Sequence, residues 1–174
     1  MATISRIGFG QLEPNHLSAQ RTGQIYAQLP ADSSIDVLEN GQFVKYNYAD
    51  NVCDFAGEGE WMLVYNEVKL YDGWREGDKD FALVKTNYDG GVMVPRVMKT
   101  NIGDIFTTNC LGAKGAKGVT TNSGIEEEEL VGKSLKVNAN GYLALEGSGT
   151  QEFQVVKVYT LADGQAAVKV MRIK

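Results

Sequence analysis

Turn dipeptides separate short apolar runs along this chain. Asn40-Gly41, Asn140-Gly141 and Asp163-Gly164 are each flanked by apolar residues. Asn-Gly and Asp-Gly tolerate the positive φ angles of the tight turns that join adjacent antiparallel strands. No amphipathic pattern exceeds about two helical turns, and residues 12–22 and 125–131 are the only helical candidates. The spacing predicts an all-β fold of antiparallel hairpins, arranged as a β-sandwich or as small β-barrel lobes.

The glycine content supports a fold with many turns. Glycine supplies 20 of the 174 residues, about 11%, whereas proline occurs only three times. An average protein contains roughly 7% glycine. Many glycines with few prolines are typical of tight turns and not of a proline-rich linker. The length suits one core or two compact lobes, and we predict an arm at residues 1–21, a main lobe at 22–120 and a C-terminal lobe at 121–174.

Several strands are predicted individually. Residues 35–38 and 42–48 flank Asn40-Gly41, which predicts a hairpin. Residues 61–65 are apolar without alternation, which predicts a strand buried on both faces. Residues 134–137 and 142–145 flank Asn140-Gly141 and predict a second hairpin. A third hairpin is expected around Asp163-Gly164, between residues 153–161 and 166–173.

The charge balance excludes some classes of partner. The net charge is −5 and the isoelectric point is about 4.9. An acidic surface repels phosphate groups, so nucleic acid and anionic membranes are not expected as partners. Residues 1–17 lack the apolar core of a signal peptide, and no stretch reaches the roughly 20 apolar residues of a membrane span. We therefore expect folding in a cytoplasm, with reduced thiols.

Catalytic motifs are missing from the sequence. His16 is the single histidine, which removes the commonest general base and metal ligand from most mechanisms. Cys53 and Cys110 lack C-x-x-C spacing and are predicted to be small buried residues, since a bridge would require the fold to bring them together. The glycine-lysine loop at 112–118 does not match a P-loop. We predict no enzymatic activity, no cofactor and no metal; a hydrolase with an unrecognised carboxylate pair is the alternative.

The N-terminal residues and one tryptophan are candidate contact sites. Residues 1–21 show no sustained periodicity, which is consistent with a frayed terminus or with an arm that becomes ordered on a partner. The candidate contacts in this arm are Ile4, Ile7, Phe9, Leu12, His16 and Leu17. Trp74 follows the turn dipeptide Asp72-Gly73, and an exposed tryptophan there would serve as an interface anchor or as a platform for a sugar.

The whole chain resembles the capsid decoration (cement) proteins of tailed bacteriophages. The residues that carry the resemblance are His16–Pro30, Asp36–Tyr46 and the two C-terminal hairpins. The resemblance implies a virion structural protein without a cofactor, assembled in the host cytoplasm. Such a protein binds the outer surface of the phage head and stabilises the lattice of the major capsid protein.

The same resemblance implies how the partners would be arranged. The N-terminal arm would add a strand to the shell, and strand addition derives affinity from backbone hydrogen bonds. A homotrimer is the expected oligomer, because several decoration proteins are trimers. The alternative function is a carbohydrate-binding or host-adhesion module of a head fibre or tail, with Trp74 as its platform.

Overall fold

The protein is all-β, as the turn spacing predicts. The computed structural model describes residues 3–6, 8–14, 17, 25–26, 28–66, 81–112, 121–126, 130–161 and 164–174. The strands are β1 (Thr3–Arg6), β2 (Leu12–Glu13), β3 (Ile25–Tyr26), β4 (Val37–Glu39), β5 (Phe43–Asn47), β6 (Val52–Asp54), β7 (Met62–Val64), β8 (Ala82–Val84), β9 (Val97–Met98), β10 (Ile105–Thr108), β11 (Thr121–Glu126), β12 (Ser134–Val137), β13 (Leu143–Ala144), β14 (Glu152–Thr160) and β15 (Ala166–Arg172). Two short 3-10 turns, Lys85–Asn87 and Asp89–Gly91, follow β8.

The strands form open antiparallel sheets, so the sandwich prediction is confirmed and the barrel is not. One sheet has the order β13-β12-β14-β15-β10-β2 and another the order β3-β9-β7-β5-β6, while β4 pairs with β8 and β1 with β11. The helical candidates were wrong at most of the residues that the structure describes, Leu130 being the helical exception. Residues 12–13 and 125–126 lie in β2 and β11, because both segments pair with neighbouring strands.

The five-stranded sheet lies between two apolar layers. Phe43 and Leu63 pack with side chains of the six-stranded sheet, whereas Val44, Met62 and Val64 pack with β4 and β8 on the opposite face. Successive side chains of a strand point to opposite faces, so a strand covered on both sides is apolar throughout. All three residues of β7 are buried, which confirms the predicted burial on both faces.

An aromatic cluster occupies the layer between the two large sheets. The ring centroids of Phe43 and Phe153 lie 5.4 Å apart, and those of Phe106 and Phe153 lie 5.7 Å apart. Phe43 and Phe106 precede residue 120, and Phe153 follows it. The lobes expected on either side of residue 120 therefore share one core. They also share one sheet, to which residues before position 120 contribute β2 and β10 and residues after it contribute β12 to β15.

Two of the three predicted hairpins are confirmed. Strand β12 pairs with β13 across Asn140-Gly141, and β14 pairs with β15 across the turn that contains Gly164. The predicted hairpin at Asn40-Gly41 is wrong. A turn forms there, but β4 then pairs with β8 and β5 with β6 and β7.

Hydrogen bonds of the buried turn explain why its strands diverge. The Gly41 amide donates to the Val64 carbonyl at 2.9 Å, and the Asn40 amide donates to the Phe81 carbonyl at 2.9 Å. The Asn66 amide donates to Asn40 Oδ1 at 2.7 Å. Both turn residues are buried, so their polar groups need partners inside the protein. Those partners belong to other strands, and each flanking strand follows its own neighbour.

The described N-terminal residues join the body of the fold. Strand β1 pairs with β11, and Leu12 lies opposite Thr108 on β10. The Gln11 amide donates to Asn109 Oδ1 at 2.7 Å. This arrangement departs from the expected arm, because Leu12 completes the core at an edge of the six-stranded sheet and is only 4% exposed.

Candidate interaction surface

A rigid turn ahead of β10 exposes an apolar side chain. Ile102 is 72% exposed, the largest fraction among the large apolar side chains that the structure describes. The Asn101 amide donates to Asp104 Oδ2 at 2.7 Å, and the Asp104 amide donates to the Asn101 carbonyl at 3.0 Å. These bonds close the turn at both ends, so Ile102 projects from a backbone with a defined conformation.

Strand β15 fixes the same turn from its other side. The Gly103 amide donates to the Arg172 carbonyl at 2.8 Å, and the Arg172 amide donates to the Asp104 carbonyl at 3.0 Å. Arg172 Nη1 also donates to the carbonyl and to the hydroxyl of Thr100, the latter at 3.1 Å. The arginine side chain therefore lies beside the turn, and the next residue, Ile173, is 37% exposed.

Ion pairs surround this turn. Glu60 Oε1 lies 3.2 Å from Lys99 Nζ, and Glu60 Oε2 lies 3.8 Å from Arg172 Nη1. The hydrogen bond from Lys99 to Glu60 raises the pKa of Lys99 above its ordinary 10.5. Lys99 Nζ also lies 5.0 Å from the ring centroid of Tyr26, within cation–π range. Lys99 is thus held in its charged form beside the apolar turn.

A second group of charges lies on the neighbouring strand ends. Glu152 Oε1 is 3.3 Å from Lys136 Nζ and 3.7 Å from Lys174 Nζ. The Ile173 amide donates to the Glu152 carbonyl at 2.9 Å, which places this group next to the end of β15. These pairs are partly exposed, so they contribute little to stability.

The turn and the ion-paired side chains beside it form what we call the Ile102 surface. It comprises Ile102, Lys99, Arg172 and Glu60. Arg172 lies opposite the buried Phe153, whereas Lys136 and Glu152 pair at the next position and face the other side of the sheet, so they are not part of this surface. An exposed apolar side chain beside charged groups is common in protein–protein interfaces. Lys99 and Arg172 would suit a partner with an acidic surface.

The predicted contact residues lie elsewhere. Leu12 and Leu17 pack on the core, and Phe9 is half-buried beside Val37 and Val84 in a small pocket of about 170 Å³. The backbone of Ile4 lies in β1. Ile7, His16 and Trp74 lie outside the described residues. Leu12, Leu17 and Phe9 are therefore not part of the Ile102 surface.

Sequence reasoning did not identify Ile102 as a contact residue. Ile102 lies in the turn before β10, which begins at Ile105. The available signal was the local pattern Asn101-Ile102-Gly103-Asp104, in which one apolar residue lies among three typical turn residues. An apolar side chain in such a turn has no sheet to cover it.

The thiols behave as the sequence predicts. Cys53 and Cys110 are both buried, and no disulfide joins them. Burial raises the pKa of Cys53 to about 12, with a smaller contribution from the nearby charge of Asp54. The Cys53 thiol donates to the Leu29 carbonyl at 3.4 Å. Both thiols act as small core residues in the folded protein.

The described residues lack the features of two other kinds of site. Within the described ranges, no helix is both long and apolar enough to cross a membrane. In the same part of the chain, no three His, Cys, Asp or Glu side chains come together as a metal site would require.

Comparison with protein-family models, with curated proteins and with solved structures finds no match for this chain.

Proposed function

We propose that this protein is a bacteriophage capsid decoration protein, which binds the outer surface of the phage head and stabilises the lattice of the major capsid protein. It acts by binding and not by catalysis. The sequence resemblance motivates the identity of the partner. The Ile102 surface carries the proposal, because an exposed apolar side chain is held there on a hydrogen-bonded turn beside the cations Lys99 and Arg172.

We place the proposed contact with the capsid at the Ile102 surface and not on an N-terminal arm. The described part of residues 1–21 supplies strands and core residues to the body, so affinity would come from side chains around Ile102. Docking would cover the exposed isoleucine and bring Lys99 and Arg172 near carboxylates of the capsid. Charge pairs at the rim of an interface mainly accelerate association and add specificity, and salt weakens both effects.

Co-sedimentation with purified heads that lack the protein tests this proposal. Ile102→Glu introduces a charge at the centre of the surface and should weaken binding about ten-fold or more, equivalent to about 1.4 kcal/mol. Val92→Glu is the matched control, because Val92 is also exposed and lies in the segment after β8. This control should bind as the unmodified protein does.

Two outcomes would contradict the proposal. If the unmodified protein did not sediment with heads, the capsid would not be its partner. If Ile102→Glu bound as well as Val92→Glu, the Ile102 surface would not be the contact. The homotrimer stays a prediction, which sedimentation equilibrium of the free and the head-bound protein tests.

A further inference from the structure

An exposed tyrosine, Tyr48, lines a cleft that contains no residue of the Ile102 surface. Tyr48 is 70% exposed and follows β5 in the turn that leads to β6. The cleft has a volume of about 340 Å³ and is lined by residues 47–50 and 56–58. That volume is at the lower end of the roughly 300–1,000 Å³ typical of small-molecule sites. We call it the Tyr48 cleft.

The Tyr48 ring has a defined position. It contacts the Tyr46 ring edge to face, with centroids 5.6 Å apart and an interplanar angle of 80°. Tyr46 is itself only 4% exposed and contacts Tyr26 in the same manner at 6.0 Å. Aromatic pairs prefer this geometry. The buried Tyr46 therefore supports the exposed ring from one side.

Hydrogen bonds hold the two walls of the cleft together. Asn47 Nδ2 donates to Asp50 Oδ2 at 2.9 Å and to Asp54 Oδ2 at 3.0 Å. The other oxygen of Asp54 accepts the amides of Ala56 and Gly57. A Cβ atom at position 57 would lie 2.6 Å from the Tyr46 carbonyl oxygen, so only glycine lets this wall lie against β5. The cleft is therefore formed before any ligand binds.

The chemistry of the lining groups selects a class of ligand. Ala49 and Ala56 are small and exposed, which leaves open space beside the Tyr48 ring. Asp50 and Glu58 present exposed carboxylates, which accept hydrogen bonds. A pyranose ring offers a C–H face that stacks on an aromatic ring and hydroxyl groups that donate to carboxylates. Anionic sugars would be repelled by these carboxylates and by the net charge of −5.

We infer that the Tyr48 cleft binds a neutral saccharide, with Tyr48 as the stacking platform and Asp50 and Glu58 as hydrogen-bond acceptors. This function is separate from capsid binding and does not depend on it. On a particle surface, such a site would attach the virion weakly and repeatedly to glycans, with the avidity of many copies.

Titration by two-dimensional amide NMR tests the inference. The probes are the methyl glycosides of glucose, galactose, mannose and N-acetylglucosamine, with N-acetylneuraminic acid and a trilysine peptide for comparison. At least one neutral glycoside should produce saturable shifts of the amides of residues 47–50 and 56–58. Tyr48→Ala should weaken this binding about ten-fold or more, whereas Tyr48→Phe should retain it.

Tyr88→Ala provides the matched control, because Tyr88 is exposed and lies in a 3-10 region away from the cleft. It should bind the glycoside as the unmodified protein does. The inference is overturned if no neutral glycoside shifts these amides, or if only N-acetylneuraminic acid or trilysine does. It is equally overturned if Tyr48→Ala, with an otherwise unchanged spectrum, binds as tightly as the Tyr88→Ala control.

Discussion

Replacing Gly41 by alanine should destabilise the protein by more than its backbone angle alone explains. Gly41 has a φ of +92°, and an added Cβ would lie 2.5 Å from Thr108 Oγ1 and 2.8 Å from Cys110 Cβ. Gly103 has nearly the same φ, +93°, with no atom within 4 Å of its Cβ position. Gly103→Ala is therefore a matched control for the backbone strain.

The magnitude follows from two separate costs. The left-handed conformation costs a non-glycine residue roughly 1–2 kcal/mol, and both variants incur this cost. The steric cost applies to Gly41 alone, and insertion into a packed core costs about 1–3 kcal/mol. Thr108 cannot easily move away, since its hydroxyl donates to the Gln11 carbonyl at 2.8 Å and accepts the Cys110 amide at 3.0 Å. Gly41→Ala should therefore be the less stable variant by about 1–3 kcal/mol.

Urea unfolding at 25 °C, followed by far-ultraviolet circular dichroism, measures the difference. The free energy of unfolding is obtained by linear extrapolation, and equal m-values show that the same surface unfolds in both variants. If the two variants agreed within about 0.5 kcal/mol, the close packing of the 39–42 turn against β10 would be refuted.

The remaining predictions concern the core and the pH dependence of stability. Leu12→Ala should lower the free energy of unfolding by about 2–5 kcal/mol, because Leu12 is a core residue. Urea unfolding measures this change. A decrease below about 0.5 kcal/mol would show that residues 8–14 are a dispensable arm. The raised pKa of Cys53, about 12 against an ordinary 9.0, means that the unfolded chain releases this proton first as the pH rises. The stability that the protonated Cys53 thiol contributes is complete below pH 9 and is lost between about pH 9 and 12. The thermal unfolding temperature of Cys53→Ala should therefore fall less steeply with pH in this range than that of the unmodified protein. An unchanged slope would contradict the raised pKa of Cys53.

The local sequence predicted the turns better than the strand pairs. Asn140-Gly141 lies between strands that do pair, whereas Asn40-Gly41 forms a turn whose flanking strands join different neighbours. Both dipeptides satisfy the same local requirement for a tight turn. The two turns differ in where their amides donate. The Asn40 and Gly41 amides donate to distant strands, at the Phe81 and Val64 carbonyls, whereas the Asn140 and Gly141 amides donate to Asn138 within their own turn. Nothing within the dipeptide indicates those distant partners.

The candidate sites were the least predictable part. Six residues of the expected arm were predicted as contacts because residues 1–21 lack a periodic pattern. The structure shows that a strand of only two residues, Leu12–Glu13, joins the sheet and buries Leu12. Ile102 and Tyr48 became visible as candidate contacts only through their exposure, which depends on which strands cover which faces.

The sequence by itself determined the all-β class, the positions of the turns and the double burial of Met62–Val64. These properties depend on φ preferences and on the apolar character of neighbouring residues, which are local. The tertiary structure alone decided that Phe43, Phe106 and Phe153 share one core across the expected lobe boundary, and that Ile102 and Tyr48 remain uncovered. Strand pairing and layer packing satisfy hydrogen bonds and bury surface between residues about a hundred positions apart, and local patterns carry no information about such partners.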